Sequence, residues 1–536
     1  MSDAHVVIVG NGPVGATLSV LLAQRGWRVT VIERRPRPYR LPRATSFDGE
    51  TARLLAGTGI GPDLGRITAP ANGYQWRTAA GETLLDIAFN TPGAYGWPDV
   101  NTMHQPSLEE LIATRATSLP SLTLLRGHEV VGISEHNGRV EVSATDDDGT
   151  TRRVSARWVV GCDGANSFVR HQLDVPVTDL GFSYEWLLCD VELHEPREFV
   201  PTNVQICDPA RPTTQVGGGP GRRRWEFMRL PGESTAELNR DETAWRLLAP
   251  FGVRPDTATL LRHTTYIFQA RWAERWRVGH VLLAGDAAHL MPPFAGQGMC
   301  AGIRDVANLA WKLDLTLRGL AAESLIDSYQ QERRAQAREA ILASVQLGRV
   351  ICVTDPVAAA ERDATVLANR RGQAPVRPDP AKPLSDGLLH RRPGADVADP
   401  PAGAVAPQGR VALGRDTGLF DDVVGRGFVL LTTEDPHTTL DEDRLSFLGT
   451  LDTHVVRLLP PASTVERGAV DVDNVYRPYL TRCGATALLI RPDYHVFGAG
   501  SGPSGIRDLI DDLRHQLRAP APVGALASVF HSSVAS

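Results

Sequence analysis

Three short stretches combine glycines with an acid in spacings that suit a phosphate-bearing ligand and a developing anion. The first is Gly10-x-Gly12-x-x-Gly15, set between the β-branched run HVVIVG and a helically spaced run that begins Pro13-Val14. Glycines here permit a tight turn and close backbone approach to a pyrophosphate, whose charge meets the helix N-terminus. A second apolar strand, about 20 residues on, ends at Glu33, where a carboxylate can accept hydrogen bonds from a ribose diol. The second stretch, GCDGANSFVR, delivers Asp163 from an apolar strand into a glycine-rich turn. Alone it signals only a turn, which Asp and Gly favour. The third, residues 281–305, reads VLLAGDAAHLMPPFAGQGMCAGIRD. Asp286 ends a strand there, where α/β sheets place ligands. Gly296-Gln297-Gly298 then exposes backbone N–H groups at a helix start, the end suited to a developing anion.

Other chemistries find less support. Gly500-x-Gly502-x-x-Gly505 repeats the first spelling, but no strand ending in an acid follows it, and it reads as a loop. There is no HExxH motif, and no second histidine stands at ligand spacing from His289. No metal site is expected, and His289 reads as a structural hydrogen-bonding residue. The nucleophile-elbow spelling G-x-S-x-G is absent, which argues against a hydrolase.

The chain has 536 residues, enough for two or three domains. A net charge of −6 gives no support for nucleic-acid or anionic-membrane binding, both of which favour basic patches. The short clusters Arg34-Arg35 and Arg222 to Arg224 read as solvated surface. Six scattered cysteines without a CxxC read as reduced thiols of a cytoplasmic protein. The N-terminus lacks a basic n-region, so no secretory signal is expected. No apolar run reaches about 18 residues, so no transmembrane helix is predicted.

Residues 5–35 form a βαβ unit, with Gly26 stopping the helix. PSLEELIAT starts a helix with Ser107 as N-cap and Glu110 three residues on. Residues 122–160 alternate, and Asn137-Gly138 and Asp148-Gly149 mark hairpin turns of an antiparallel meander. Residues 181–266 are strand-rich and predict a second sheet. Residues 299–320 and 328–350 read as long helices, and 372–401 as a linker. After about Val405 strands and helices restart as a compact α/β unit.

The three motifs in this order resemble the class A flavoprotein monooxygenases, the single-component aromatic hydroxylases. The resemblance covers roughly residues 6–350. It implies an α/β fold: a Rossmann-type FAD-binding domain (1–180 and 267–385), an inserted β-sheet substrate domain (181–266) and a C-terminal thioredoxin-like domain (386–536) lacking CxxC. RRRWEFMRLPGE and GQGMCAGIRDVANLAWKL look similar to the 3-(3-hydroxyphenyl)propionate hydroxylase and phenol hydroxylase branch, where such a third domain follows. By the same resemblance the cofactor is FAD. Gly10, Gly12, Pro13, Val14, Gly15, Glu33 and Arg34 would hold its ADP half, and Arg43 of LPRAT matches a flavin-loop arginine. Gln105, Val130, Asp163, Gly285 and Asp286 join the contacts, Asp286 at the ribityl chain, with Pro293, Gly296, Gln297, Gly298 and Met299 beside the ring.

The resemblance further implies that NADPH or NADH reduces FAD and that O2 is activated as a C4a-hydroperoxyflavin, which passes one oxygen to a phenolic ring. Tyr266 is the candidate to share the phenol's proton, and Trp186, Trp225 and Phe227 are candidate pocket aromatics. All four also fit the ordinary core or surface of a sheet. The substrate is a small aromatic or polyketide-like molecule, with a homodimer as the only protein partner implied. Two alternatives stay open: a related flavoprotein epoxidase, Baeyer–Villiger oxygenase or dehydrogenase on a polyketide-like substrate, and a flavin-binding redox sensor without turnover.

Overall fold

The computed structural model describes residues 2–370, 375–376, 382–392, 394–461, 463 and 468–518. The linker reading at 372–401 falls partly, and the chain after Gly505 partly, outside them. Val6–Val9, all apolar and all buried, lies inside a six-stranded sheet. The order is Arg277–Val278, Val281–Leu283, Trp158–Gly161, Val6–Val9, Val29–Glu33 and Leu122–Arg126, parallel except for the first pairing. Parallel strands covered on both faces read as unbroken apolar runs, which is how VVIV, WVVG and VLL appear. The helix Pro13–Ala23 connects Val6–Val9 to Val29–Glu33 and packs on Gly298–Leu317 and Gln105–Thr117.

Two element readings are corrected here. Leu122–Arg126 pairs parallel with Val29–Glu33; the antiparallel meander is His128–His136, Arg139–Asp146 and Thr151–Ala156. The turn at Gly127 (φ +68°) separates the two. Ser107 is not an N-cap. The helix begins at Gln105 with Pro106 in its first turn, and the Ser107 hydroxyl bonds the ring of His104.

The second sheet has eight strands and reaches beyond the 181–266 segment. Val177–Leu193 and Ala258–Ala273 are its long central pair, and Gly73–Arg77 and Thr83–Ala88 join its far edge. In the C-terminal unit a seven-stranded sheet runs Asp416–Leu419, Arg410–Leu413, Ala469–Asp471, His454–Leu459, Val429–Thr432, Ala487–Ile490 and Val496–Gly500. Gly500 ends the last strand and Gly502 opens the helix Gly502–Arg518, so the glycine repeat follows a strand and precedes a helix as its sequence reads, with the connection reduced to one residue. Among the described residues no single helix is long and apolar enough to cross a membrane.

The C-terminal unit shares a core with the helix Gly298–Leu317 through Trp311 and Leu315 against Phe428 and Leu430. A buried charge cluster sits beside that contact. Glu332 accepts from Lys312 Nζ at 2.8 Å, Arg491 Nη2 at 2.7 Å and Asn308 Nδ2 at 2.6 Å. Burial alone would raise the Glu332 carboxyl; Arg491 and Lys312 hold it down to about 2. Arg491 also bonds Asp493 Oδ2 at 2.6 Å. Removing one partner strands the others without water. Glu332→Ala should therefore cost about 3–5 kcal/mol, read as a lower urea midpoint.

Candidate active site

A single cavity of about 1180 Å³ runs from the Gly10 turn to the floor of the eight-stranded sheet. Each glycine of the first motif has its own task. Gly10 has φ +98°, and a Cβ there would lie 2.5 Å from the Cys162 carbonyl oxygen. A Cβ on Gly15 would lie 2.2 Å from the Gly10 oxygen. These two let turn and helix close on each other. At Gly12 a Cβ would meet nothing within 4 Å, and this glycine faces the cavity. No side chain caps the helix Pro13–Ala23 and no acid stands in its first turn, so its positive end opens on that space. Glu33 accepts from Asn11 N at 2.8 Å and Arg35 N at 2.9 Å, which holds the carboxylate at the rim with lone pairs to spare. Arg34 and Arg35 line the cavity rather than standing as plain solvated surface.

At the other end, Gly285–Ala287 forms one tight turn and Pro293–Ala295 another. Asp286 lines the cavity, and among the described residues no group donates to it. Burial pushes its carboxyl up, against His289 and Arg43. Asp163 also lines the cavity, but its carboxylate is engaged: it accepts from Ser167 Oγ at 2.6 Å and Val169 N at 3.0 Å. The helix Gly298–Leu317 has no side-chain cap and no acid in its first turn. Gly296, Gln297, Gly298 and Met299 therefore present its positive end to the cavity. Gln297 Oε1 accepts from Arg304, which also bonds Glu50 and Asp48. These features fit an FAD: room at a phosphate-binding turn, an acid for each sugar end and an uncapped helix for the ring.

Between the two ends lies the segment Pro42–Ala44. Gln105 Oε1 accepts from Arg43 N at 2.9 Å and Ala44 N at 2.7 Å. From the sheet, Arg224 donates to the Arg43 and Pro42 carbonyls at 2.6 and 2.7 Å, and Arg262 to Pro42 O at 2.6 Å. Arg224 is bidentate to Asp190 at 2.7 and 3.1 Å. The solvated-surface reading of Arg222 to Arg224 is thus corrected: Arg223 and Arg224 are buried.

The structure brings Gly10, Gly12, Pro13, Val14, Glu33, Arg34, Arg43, Gln105, Val130, Asp163, Tyr266, Asp286, Pro293, Gly296, Gln297, Gly298 and Met299 to one cavity. Gly15 and Gly285 lie behind it; a Cβ on Gly285 would press on Val14 at 3.1 Å. Trp225 and Phe227 do not reach it. They lie on the far face of the sheet, packed with Phe199 and Phe251. Trp186 is on the near face but fully covered by Phe268 and Phe294. Strand alternation explains the split: along RRRWEFM, Arg224 and Glu226 face the cavity and Trp225 and Phe227 face away. Phe268, Phe294, Glu226, Thr214 and Gln205 line the cavity instead. That alternation was the available signal, since polar residues at every second position of a strand mark its wetter face. His289 is buried, with Nε2 2.7 Å from Asp305 Oδ2, the structural role expected.

The fold and the site define a flavin-dependent oxidoreductase. The FAD binding domain family matches residues 3–344, and the HcaD C-terminal domain family matches residues 403–516. A probable NADH-specific resorcinol 4-hydroxylase of Rhodococcus jostii (strain RHA1) is 37% identical over 97% of this chain and 95% of its own. A 3-(3-hydroxy-phenyl)propionate/3-hydroxycinnamic acid hydroxylase of Comamonas testosteroni is 30% identical over 97% and 98%. In structure, the flavin-dependent monooxygenase PieE in complex with FAD and substrate superposes with a TM-score of 0.78 at 21% identity, over 96% of this chain and 99% of that one. The chain belongs to the FAD binding domain family and, within it, to the flavoprotein aromatic monooxygenases.

Gly10→Ala places a methyl against the Cys162 carbonyl and should yield protein without visible flavin absorbance. Gly26→Ala has a similar φ of +86° but no atom within 4 Å. It should cost about 1–2 kcal/mol of stability and keep its FAD.

Proposed function

We propose that the protein is a single-component hydroxylase that uses FAD, O2 and NADH or NADPH to add one oxygen atom to a phenolic ring. The observation that carries the reading is the joining of a dinucleotide-binding turn and an uncapped helix end in one cavity. It is supported by the 37% identical relative named for resorcinol 4-hydroxylation with NADH. Bound FAD, once reduced, supplies activation of dioxygen and transfer of one oxygen to the ring, the other leaving as water. The residues supply the rest. Glu33 accepts from the ribose, Asp286 from the ribityl chain, and the helix end at Gly298 favours negative charge on the ring's pyrimidine edge. The segment Pro42–Ala44 holds Arg43 beside the cavity.

Tyr266 is the proposed partner of the substrate hydroxyl. Tyr266 lines the cavity, and the residue as a whole is 40% exposed. Burial pushes its pKa up, and the Asp286 charge adds to this. It stays protonated near neutral pH and shares a hydrogen bond rather than removing a proton. A second reading, oxygenation of a larger polyketide-like substrate, draws on the fold likeness to an aklavinone-11 hydroxylase (TM-score 0.75, 23% identity). In either reading we place the protein in the cytoplasm as a homodimer. We divide the chain into a Rossmann-type FAD-binding unit (1–180 and 267–385), a substrate sheet (181–266, joined by the two edge strands) and a thioredoxin-like unit (386–536).

Purified protein should be yellow, and its oxidation of NADH or NADPH should accelerate with a phenol and give a product one oxygen atom heavier. Protein that takes up no FAD, or that no arene stimulates, would overturn the reading.

A further inference from the structure

One buried carboxyl on the cavity floor accepts no hydrogen bond from any described residue. Glu226 is 8% exposed and faces the cavity from Arg222–Met228. Its cross-strand neighbours are Leu188 and Thr214; Gln205 and Trp76 continue the same row. Thr214 and Gln205 are spent as donors, and the Trp76 indole N–H, three places along the row, makes no hydrogen bond to any described residue. Thr214 Oγ1 donates to Gln205 Oε1 at 2.6 Å, and Gln205 Nε2 donates to the carbonyls of Thr213 at 3.1 Å and Ile206 at 3.3 Å. Arg224 Nη1 stands 3.8 Å from Glu226 Oε1, beyond hydrogen-bond reach, and its nitrogens serve Asp190, Pro42 and Arg43. Among the described residues, then, no group donates to this carboxylate. Burial pushes its carboxyl up to about 7, with Arg224 pulling the other way.

A buried carboxylate without donors is costly, and a ligand can relieve the cost by bringing a hydroxyl. The row also carries apolar surface for a ring, with Leu188 and Trp76 on either side of Glu226, Thr214 and Gln205. A ligand that brings a carboxylate to the same place meets the charge of Glu226, and the nearest cation, Arg224, is already committed to Asp190 and to the Pro42 and Arg43 carbonyls. We infer that Glu226 accepts a hydrogen bond from a substrate hydroxyl, and that the site selects uncharged hydroxyarenes over aromatic carboxylates. The inference rests on the hydroxylase reading and narrows it.

The test is calorimetric titration of FAD-loaded wild type, Glu226→Gln and Glu226→Leu with resorcinol, 3-hydroxybenzoate and 3-(3-hydroxyphenyl)propionate. Wild type should bind resorcinol at least about tenfold more tightly than either acid, and Glu226→Leu should weaken resorcinol about tenfold or more and remove the preference. Glu226→Gln keeps an acceptor oxygen and the side-chain shape, so it should lose less affinity for resorcinol while relaxing the exclusion of the acids. Flavin absorbance per chain reports that each variant is folded and loaded. Two results would overturn the inference: a wild type that prefers an acid, or a flavin-loaded Glu226→Leu with wild-type affinity and preference. Turnover is read separately with the same arenes. A wild type that discriminates as stated yet forms no oxygenated product defeats the hydroxylase reading and supports the subsite.

Discussion

The Asp305 carboxylate ties together the elements on which the cavity depends. It is fully buried in the helix Gly298–Leu317. It accepts from Gly285 N at 3.1 Å, His289 Nε2 at 2.7 Å and Arg333 Nε at 3.0 Å. Burial would raise its carboxyl; His289 and Arg333 overcome this and lower it. Its contribution to stability is therefore present above the unfolded carboxylate range and lost as pH falls through the depressed value. The geometric effect is greater than the energetic one. With Gly285 drawn back to the helix, the next residue, Asp286, is turned out into the cavity. With His289 held as well, the chain must travel through Pro292 and Pro293 before re-entering the helix it is bonded to. The positive helix end and the acid are set in place by one side chain that touches neither ligand nor solvent.

Arg333 carries the same constraint outward. Its neighbour on the helix Asp327–Ile351 is Glu332, which turns the other way into the Lys312 and Arg491 cluster. One pair of adjacent residues thus faces the flavin side with a cation and the C-terminal unit with an anion. Each is a buried ion whose desolvation is offset only by complete pairing. Such pairs contribute modestly to net stability but strongly to a fixed geometry, because any displaced partner leaves an uncompensated charge.

Much of this was legible in the sequence, and what was not has a common cause. The cofactor half is built from local signals: glycines that need special φ or contact, acids at strand ends, and a helix start within a few residues of its turn. Those signals survive in one dimension, and all but Gly15 and Gly285 of the cofactor-site candidates face the cavity. Those two do their work behind it, as packing glycines. The substrate floor is different. It is assembled from strands as distant as Gly73–Arg77 and Ala258–Ala273, and which residues face inward depends on register. Choosing Trp225 and Phe227 by residue type ignored the period of two, which hands the inward places to Arg224 and Glu226. Arg222 to Arg224 looked like solvent-exposed charge because nothing near it in sequence announces Asp190 or the Pro42 carbonyl.

The C-terminal unit has a mechanical bearing on the same cavity. Residues 386–536 contain one cysteine, Cys483, and an internal dithiol exchange needs two. What the unit contributes is contact. Gln408 donates to the Tyr95 carbonyl at 2.7 Å, and its own amide to Ala94 O at 3.1 Å; Ala94 and Tyr95 both line the cavity. Arg53 reaches across to Asp421 at 2.7 and 2.8 Å and to Ala406 O at 2.6 Å. Arg53 belongs to the helix Gly49–Leu55, and Asp48 and Glu50, at its start, hold Arg304 beside Gln297. Charge-assisted bonds therefore tie the C-terminal unit, at the helix Phe420–Val423, to the helix Gly49–Leu55, whose start in turn holds Arg304 beside the turn that presents the helix end at Gly298. The unit buttresses the cavity wall at Ala94 and Tyr95 and the helix Gly49–Leu55, a role that needs a rigid scaffold and no redox chemistry of its own.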